Sequence, residues 1–140
     1  VLGFYAVVAL LTIALLAWAS AQPHAAAPAS EGEGPATSVT LPPGTSATAK
    51  FPAPPVAEFR TITADTLSMV QAGKQKAATA RITDLEKAWD DAQPSLQPLD
   101  DTGWMYIDGQ IDAALTAVRA DSPDPAEEKA ALSALLATLD

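Results

Sequence analysis

The first 21 residues constrain the fold of this chain most, because residues 1–21 contain no charged side chain. As an α-helix at ~1.5 Å per residue, this segment would extend roughly 31 Å, about the thickness of the hydrocarbon core of a bilayer. Trp18 lies near the end of the segment, where interfacial aromatic residues are common. The pattern therefore predicts a transmembrane anchor.

A cleavable signal peptide is the alternative interpretation of the same segment. Ala19, Ser20 and Ala21 form the small-residue pattern that precedes a cleavage site. A usual signal-peptide core has about 7–15 apolar residues. The apolar run of this chain is longer, and its length favours the anchor. The first basic residue of the chain is Lys50, whereas cytoplasmic flanks are enriched in lysine and arginine. Both interpretations therefore predict export of the chain after residue 21.

The composition changes abruptly over residues 22–55, which contain eight of the 12 prolines of the chain. A segment rich in Pro, Ala, Ser and Thr buries too little apolar surface to offset the entropy that is lost on ordering. The sequence therefore predicts a disordered linker over residues 22–55. The only histidine of the chain, His24, lies in this segment, and a lone histidine in a linker does not predict a metal site, because such sites need several converging ligands.

Beyond the linker, apolar residues recur at offsets of three and four, the spacing of an amphipathic helix. The first two predicted helices cover residues 60–72 and 76–92. Gly73 predicts a turn between them, with one continuous helix through the glycine as the alternative. Pro94 and Pro98 are expected to end the second helix. The predicted core positions of these helices are Ile62, Thr66, Met69, Val70, Ala78, Ile82, Leu85, Trp89 and Ala92.

Two more helices are predicted after these prolines. Asp100 suits the start of the third helix, and Asp124 suits the cap of the fourth, with Pro125 in the first position and Glu127 completing a capping box. Their predicted apolar faces consist of Trp104, Ile107, Ile111, Leu115, Val118, Leu132, Leu135, Leu136 and Leu139. Because short connections make sequential helices antiparallel neighbours, residues 56–140 are predicted to form an all-α, small up-down bundle of three or four helices.

Several stretches of this helical region carry a resemblance to known proteins. They are residues 67–74 (LSMVQAGK), 81–90 (RITDLEKAWD), 93–98 (QPSLQP) and 104–119. Over about residues 64–138, the chain resembles a group of small exported or membrane-anchored bacterial helical proteins of unknown function. The resemblance implies a helical domain in the bacterial envelope and no particular chemistry. With the apolar segment, it predicts a bacterial inner-membrane protein whose C-terminal domain is periplasmic, or secretion to the periplasm after cleavage near Ala21.

The third helix and its neighbour carry the residues that could form a ligand or partner surface. Asp108 and Asp112 lie four residues apart on one side of the helix, where two carboxylates could bind a cation, although a solvated flank is the expected interpretation. Trp89 and Trp104 occupy core positions, so we expect them to be packed, with a ligand slot between them as the alternative. The candidate surface consists of Trp89, Trp104, Tyr106, Asp108 and Asp112.

Composition and charge argue against several classes of function. The net charge of −9 is opposite to the basic surface that nucleic acids need, and a chain without cysteine has no thiolate ligand or nucleophile. We predict no catalytic residue, cofactor or metal site. The expected function is that of a non-enzymatic membrane-anchored envelope protein, attached through residues 1–21, whose exported helical domain is a protein-interaction or accessory module for an envelope partner. A small-molecule or cation-binding sensory domain is the alternative.

Overall fold

The computed structural model describes residues 39–140, which contain four α-helices. They are α1 (Ala53–Gln71), α2 (Gln75–Leu96), α3 (Asp101–Val118) and α4 (Pro125–Thr138), with a short 3-10 helix, Gln97–Leu99, between α2 and α3. Each helix packs against the next in sequence, and α4 packs against α1, so that the four helices close a ring. The prediction of an all-α bundle is confirmed, and the number of helices is four.

No helix described between residues 39 and 140 is both long enough and apolar enough to cross a membrane. The predicted anchor over residues 1–21, and the predicted linker as far as residue 38, lie outside the described residues.

The core consists largely of the predicted apolar stripes. Ile82, Leu85 and Ile107 are fully buried, whereas Leu115 and Leu136, at the edges of their stripes, are only half-buried. Burial of apolar area at about 25 cal/mol per Å² is the main source of stability in such a bundle. The remaining buried positions that were predicted are Ile62, Thr66, Val70, Ala78, Trp89, Trp104, Ile111, Val118, Leu132, Leu135 and Leu139.

The turn after α1 confirms the role predicted for Gly73. Gly73 has a φ of +68°, a left-handed conformation that glycine adopts without steric cost. Its N–H donates to the carbonyl of Val70 at 3.0 Å, and the N–H of Lys74 donates to the carbonyl of Met69 at 2.9 Å. This pair of bonds is a Schellman motif, which satisfies the last carbonyls of α1. The alternative of one continuous helix is wrong.

The prediction that Pro94 ends α2 is also wrong, because the helix continues to Leu96. A proline inside a helix removes the hydrogen bond to the carbonyl four residues earlier, which here belongs to Asp90. Asp90 and Pro94 are both exposed, so that water can satisfy this carbonyl. Two further residues of helix bring Leu96 into the core, where it is 3% exposed.

Both predicted aspartate caps are present. The Asp100 side chain accepts a hydrogen bond from the N–H of Gly103 at 3.2 Å, and the Asp124 side chain accepts one from the N–H of Ala126 at 2.8 Å. Within residues 39–140, the return bond from Glu127 that would complete a capping box is not formed. Simple aspartate caps therefore start α3 and α4.

The start of the folded region differs from the boundary predicted at residue 56. Helix α1 begins at Ala53, and the preceding residues 41–51, which we call the strap, pack against the bundle. Ala47 and Phe51 of the strap are buried, and Leu41 is half-buried against the same core. The sequence did not predict that the strap packs on the bundle. Its composition is typical of a linker, and its apolar residues, Leu41, Ala47 and Phe51, are spaced irregularly and produce no helical or strand period.

Candidate functional site on the α2–α3 seam

The two predicted tryptophans meet between α2 and α3. The rings of Trp89 and Trp104 are stacked with centroids 3.6 Å apart and an interplanar angle of 10°. Phe59 of α1 contacts Trp89 edge-on at a centroid distance of 5.2 Å. Trp89 is 2% exposed and Trp104 is 4% exposed. A separation of 3.6 Å is van der Waals contact, which leaves no space for a ligand between the rings.

Asp108 seals the outer edge of this stack. Its carboxylate oxygen Oδ1 accepts a hydrogen bond of 2.9 Å from the indole Nε1–H of Trp89, and the residue is half-buried. The interpretation of Asp108 as a solvated flank is therefore corrected. A buried indole N–H needs an acceptor, and the antiparallel course of α2 and α3 places Asp108 next to it.

Asp112, one turn further along α3, is exposed, as the flank interpretation predicts. Partial burial, followed by the negative charges of Asp108 and Glu86, raises the pKa of the Asp112 carboxyl above its ordinary value. A raised pKa means that the protein disfavours the ionised form at this position. The three carboxylates therefore form a locally crowded negative surface across α2 and α3.

One cation offsets this negative charge at the far end of α3. Arg119 Nη2 lies 2.6 Å from Glu86 Oε2 and 3.0 Å from Thr83 Oγ1. The hydrogen bond from Arg119 lowers the pKa of Glu86. Asp108 and Asp112, in contrast, make no ion pair with any residue of the described chain.

Four residues of α3 form the outer edge of this site. Asp101, Met105, Asp108 and Asp112 follow one another at offsets of four, three and four, and therefore lie along one side of the helix. Met105 is 47% exposed. Asp101 also lines an open groove of about 510 Å³ together with Asp90 of α2. We call this surface the α2–α3 seam. It consists of Glu86, Asp90, Asp101, Met105, Asp108 and Asp112, above the buried tryptophans.

Tyr106 does not belong to the seam, although it was grouped with the tryptophans and aspartates in the candidate surface. It is half-buried and lines a different open groove, of about 560 Å³, between α3, α4 and the strap. Leu41 and Ala47 form the strap side of that groove, and Ala134 and Ala137 form the α4 side. The structure thus places Asp108 and Asp112 in the seam, Trp89 and Trp104 buried beneath it, and Tyr106 elsewhere.

Glu128 is a buried charged residue that the sequence analysis did not identify. It is 1% exposed, and its carboxylate accepts a hydrogen bond from the side-chain amide of Gln75. The same amide donates to the main-chain carbonyl of Val118 at 3.0 Å. A signal was present, because Glu128 continues the α4 stripe of Leu132 and Leu135 one turn toward the N-terminus.

Within residues 39–140, no group of three or more His, Cys, Asp or Glu side chains is arranged to hold a metal ion. Comparison with protein-family models, curated proteins and solved structures finds no match to the chain.

Proposed function

We propose that this chain is a non-enzymatic envelope protein, anchored in the bacterial inner membrane through residues 1–21, whose exported helical domain is a protein-interaction or accessory module. The anchor and the export rest on the uncharged apolar segment and on the absence of basic residues before Lys50. Cleavage near Ala21 would give the secreted form of the same module.

The proposal rests mainly on one difference at the α2–α3 seam: the residues beneath it are tightly packed, whereas the residues on its surface are exposed or charged. Inside, Trp89 and Trp104 are in contact and almost completely buried, which is the arrangement of a core and not of a ligand pocket. Outside, Asp101 and Asp108 lie one turn before and one turn after the exposed Met105 on the same side of α3. A surface with an exposed methionine and a charged rim suits contact with another protein.

The charge of the seam indicates the chemistry of the partner. The carboxylates of Asp108 and Asp112 have no cation within the described chain. Partial burial, and after it the negative charges of Asp108 and Glu86, raises the pKa of Asp112. Complementary charge steers association and excludes like-charged partners. We therefore propose that the partner presents lysine or arginine side chains together with an apolar group for Met105.

A cation-binding sensory domain is the second candidate, and it is favoured by the two carboxylates on one side of α3, Asp108 and Asp112, that make no ion pair within the described chain. Thermal melting with calcium, magnesium or manganese separates the two candidates. A metal that raises the midpoint of the natural protein, but not that of the variant with both Asp108→Asn and Asp112→Asn, would support the sensory domain.

Site-specific photo-crosslinking in the native host tests the interaction module. A crosslinking residue at position 105 is compared with one at position 133, because Ser133 is an exposed residue of α4, away from the seam. We expect a discrete protein adduct from position 105 and none from position 133. Equal adducts from both positions, or none from either, would contradict the proposal.

Charge variants sharpen the same experiment. Asp101→Asn with Asp112→Asn removes two charges at the seam while Asp108 continues to accept from Trp89. Asp121→Asn with Glu127→Gln removes two charges from exposed residues elsewhere and serves as the matched control. The seam variant should weaken the adduct and the control should not.

A reporter fusion tests the export. A reporter after Asp140 that is active only in the cytoplasm should be inactive, and its activity would refute the export.

A further inference from the structure

The strap contacts the bundle through few groups. Ala47 and Phe51 are buried and Leu41 is half-buried. Lys50 Nζ lies 3.4 Å from Asp100 Oδ2 at the start of α3, but the lysine side chain is 64% exposed, and an ion pair so accessible to water adds little stability. The attachment of the strap therefore depends on a small apolar contact.

The hydrogen bonds of the strap are internal. The N–H of Thr45 donates to the carbonyl of Pro42 at 3.1 Å, across a turn in which Gly44 has a φ of +79°. The N–H of Phe51 donates to the carbonyl of Thr48 at 2.9 Å. Because these bonds stay within the strap, separating it from the bundle breaks none of the helix hydrogen bonds.

The strap approaches the bundle closely at Gly103 in the first turn of α3. A Cβ atom at this position would lie 2.5 Å from the main-chain carbonyl oxygen of Ala47, much closer than a non-bonded carbon approaches an oxygen. Gly109 in the same helix would place its Cβ more than 4 Å from any neighbour. We call Gly103 the seat of the strap, because only a residue without a side chain leaves room there for the carbonyl group of Ala47. Gly109 has no such neighbour.

We propose that the strap is a releasable clamp, which opens as one unit while the four helices stay folded, and that Gly103 is the seat on which it closes. Segments with few buried contacts are the ones that open below the global unfolding transition. Release adds 11 residues, or roughly 35 Å at ~3.3 Å per residue, to the chain that precedes α1. That this length would extend a membrane tether rests on the proposed function, whereas the release itself does not.

Amide hydrogen exchange on the full 140-residue chain, in detergent, tests the proposal. The amides of Ala47 and Phe51, the two buried residues of the strap, report on the strap, and those of Ile107 and Leu135 report on the bundle. In the natural protein the strap amides should exchange faster than the bundle amides. Low concentrations of urea should leave the exchange rate of the strap amides unchanged. Gly103→Ala should speed exchange in the strap by about tenfold more than in the bundle.

Two further variants make the outcome unambiguous. Gly109→Ala is the matched control and should leave the ratio of strap to bundle exchange unchanged. Gly44→Val strains a left-handed turn in open space, so that it should speed strap exchange alone, and it decides the question should Gly103→Ala fail to fold. Exchange of the strap in step with the bundle in the natural protein, or equal acceleration of both by Gly44→Val, would overturn the proposal.

Discussion

The two ends of the bundle pair their buried polar groups in different ways. At the end that carries the strap, the indole N–H of Trp89 is turned outward and donates to a half-buried carboxylate, that of Asp108. At the other end, the carboxylate of Glu128 is itself buried and accepts from the Gln75 amide. In the described chain, no buried side-chain polar atom lacks a partner at either end.

This difference shows how the surroundings of a carboxylate decide its role. Asp108 remains in contact with water, so that its charge costs little and is available at the surface. Glu128 is removed from water, which is expensive for a carboxylate unless hydrogen bonds compensate for the lost hydration. Asp108 therefore belongs to a surface that could bind a partner, whereas Glu128 and Gln75 hold α2, α3 and α4 together.

The largest effect is expected at the aromatic end. Trp89→Ala should lower the free energy of unfolding by about 3–5 kcal/mol, because it removes a buried indole and leaves a cavity beside Phe59 and Trp104. Met105→Ala, at an exposed position of the neighbouring helix, should change it by no more than about 0.5 kcal/mol. Urea denaturation followed by circular dichroism measures both variants, and similar losses from both would show that the tryptophans are not core residues.

The polar end should respond less strongly. Glu128→Ala should lower the free energy of unfolding by about 1–3 kcal/mol, because the Gln75 amide loses its charged acceptor inside the bundle. Glu127→Ala removes a neighbouring acidic residue from the same first turn, so that both variants lose a similar favourable interaction with the helix dipole. The difference between the two variants, measured by denaturation, isolates the buried contact. No difference would contradict this assignment.

Asp108 tests whether the seam carboxylate stabilises the stack. Asp108→Ala should cost about 1 kcal/mol, because the Trp89 N–H loses its acceptor at a position that water can partly reach. Asp108→Asn keeps a carbonyl oxygen and should recover most of this loss. If alanine and asparagine proved equally harmless, the hydrogen bond would make no contribution.

The smallest effects concern the charges at the edge of the seam. The pKa of Asp112 is raised, so that its ionisation opposes folding above its ordinary pKa range and has no effect once both states are protonated. The pKa of Glu86 is lowered by Arg119, so that its contribution favours folding above its ordinary range and disappears as the pH falls through its folded-state pKa.

At pH 7, Asp112→Asn should therefore raise the stability and Glu86→Gln should lower it, each by no more than about 0.5 kcal/mol because both side chains reach water. Both differences should diminish as the pH falls and should vanish once the carboxyl groups are protonated in both the folded and the unfolded state. Melting curves at pH 7 and at a series of lower pH values check the signs and this trend. Effects of the same sign at pH 7 would contradict the assigned pKa directions.

The helical periodicity of the sequence was sufficient to predict the bundle and its aromatic core. Trp89 and Trp104 continue regular stripes, and a stripe position identifies a buried residue without knowledge of its partner. The two polar pairs were beyond this reasoning. The bond between Trp89 and Asp108 depends on the relative register of two helices, and the burial of Glu128 depends on Gln75, which lies 53 residues earlier in the chain.

The start of the domain was mispredicted for a related reason. The apolar residues of the strap do not recur at a regular spacing. The strap packs on Gly103, and this contact depends on a main-chain oxygen of Ala47, which no pattern of side chains reveals. Local composition describes the solubility of such a segment but not its tertiary contacts.

The α2–α3 seam is closed by the packed tryptophans and sealed by Asp108, which makes it a surface and not a pocket. Hydrogen exchange of the indole N–H of Trp89, observed by nuclear magnetic resonance with ¹⁵N-labelled tryptophan, tests this claim directly. We expect this proton to exchange much more slowly than the N–H of a free indole, and expect Asp108→Ala to speed its exchange. Exchange at the rate of a free indole in the natural protein would contradict the claim, because it would show that the edge of the stacked rings is open to solvent.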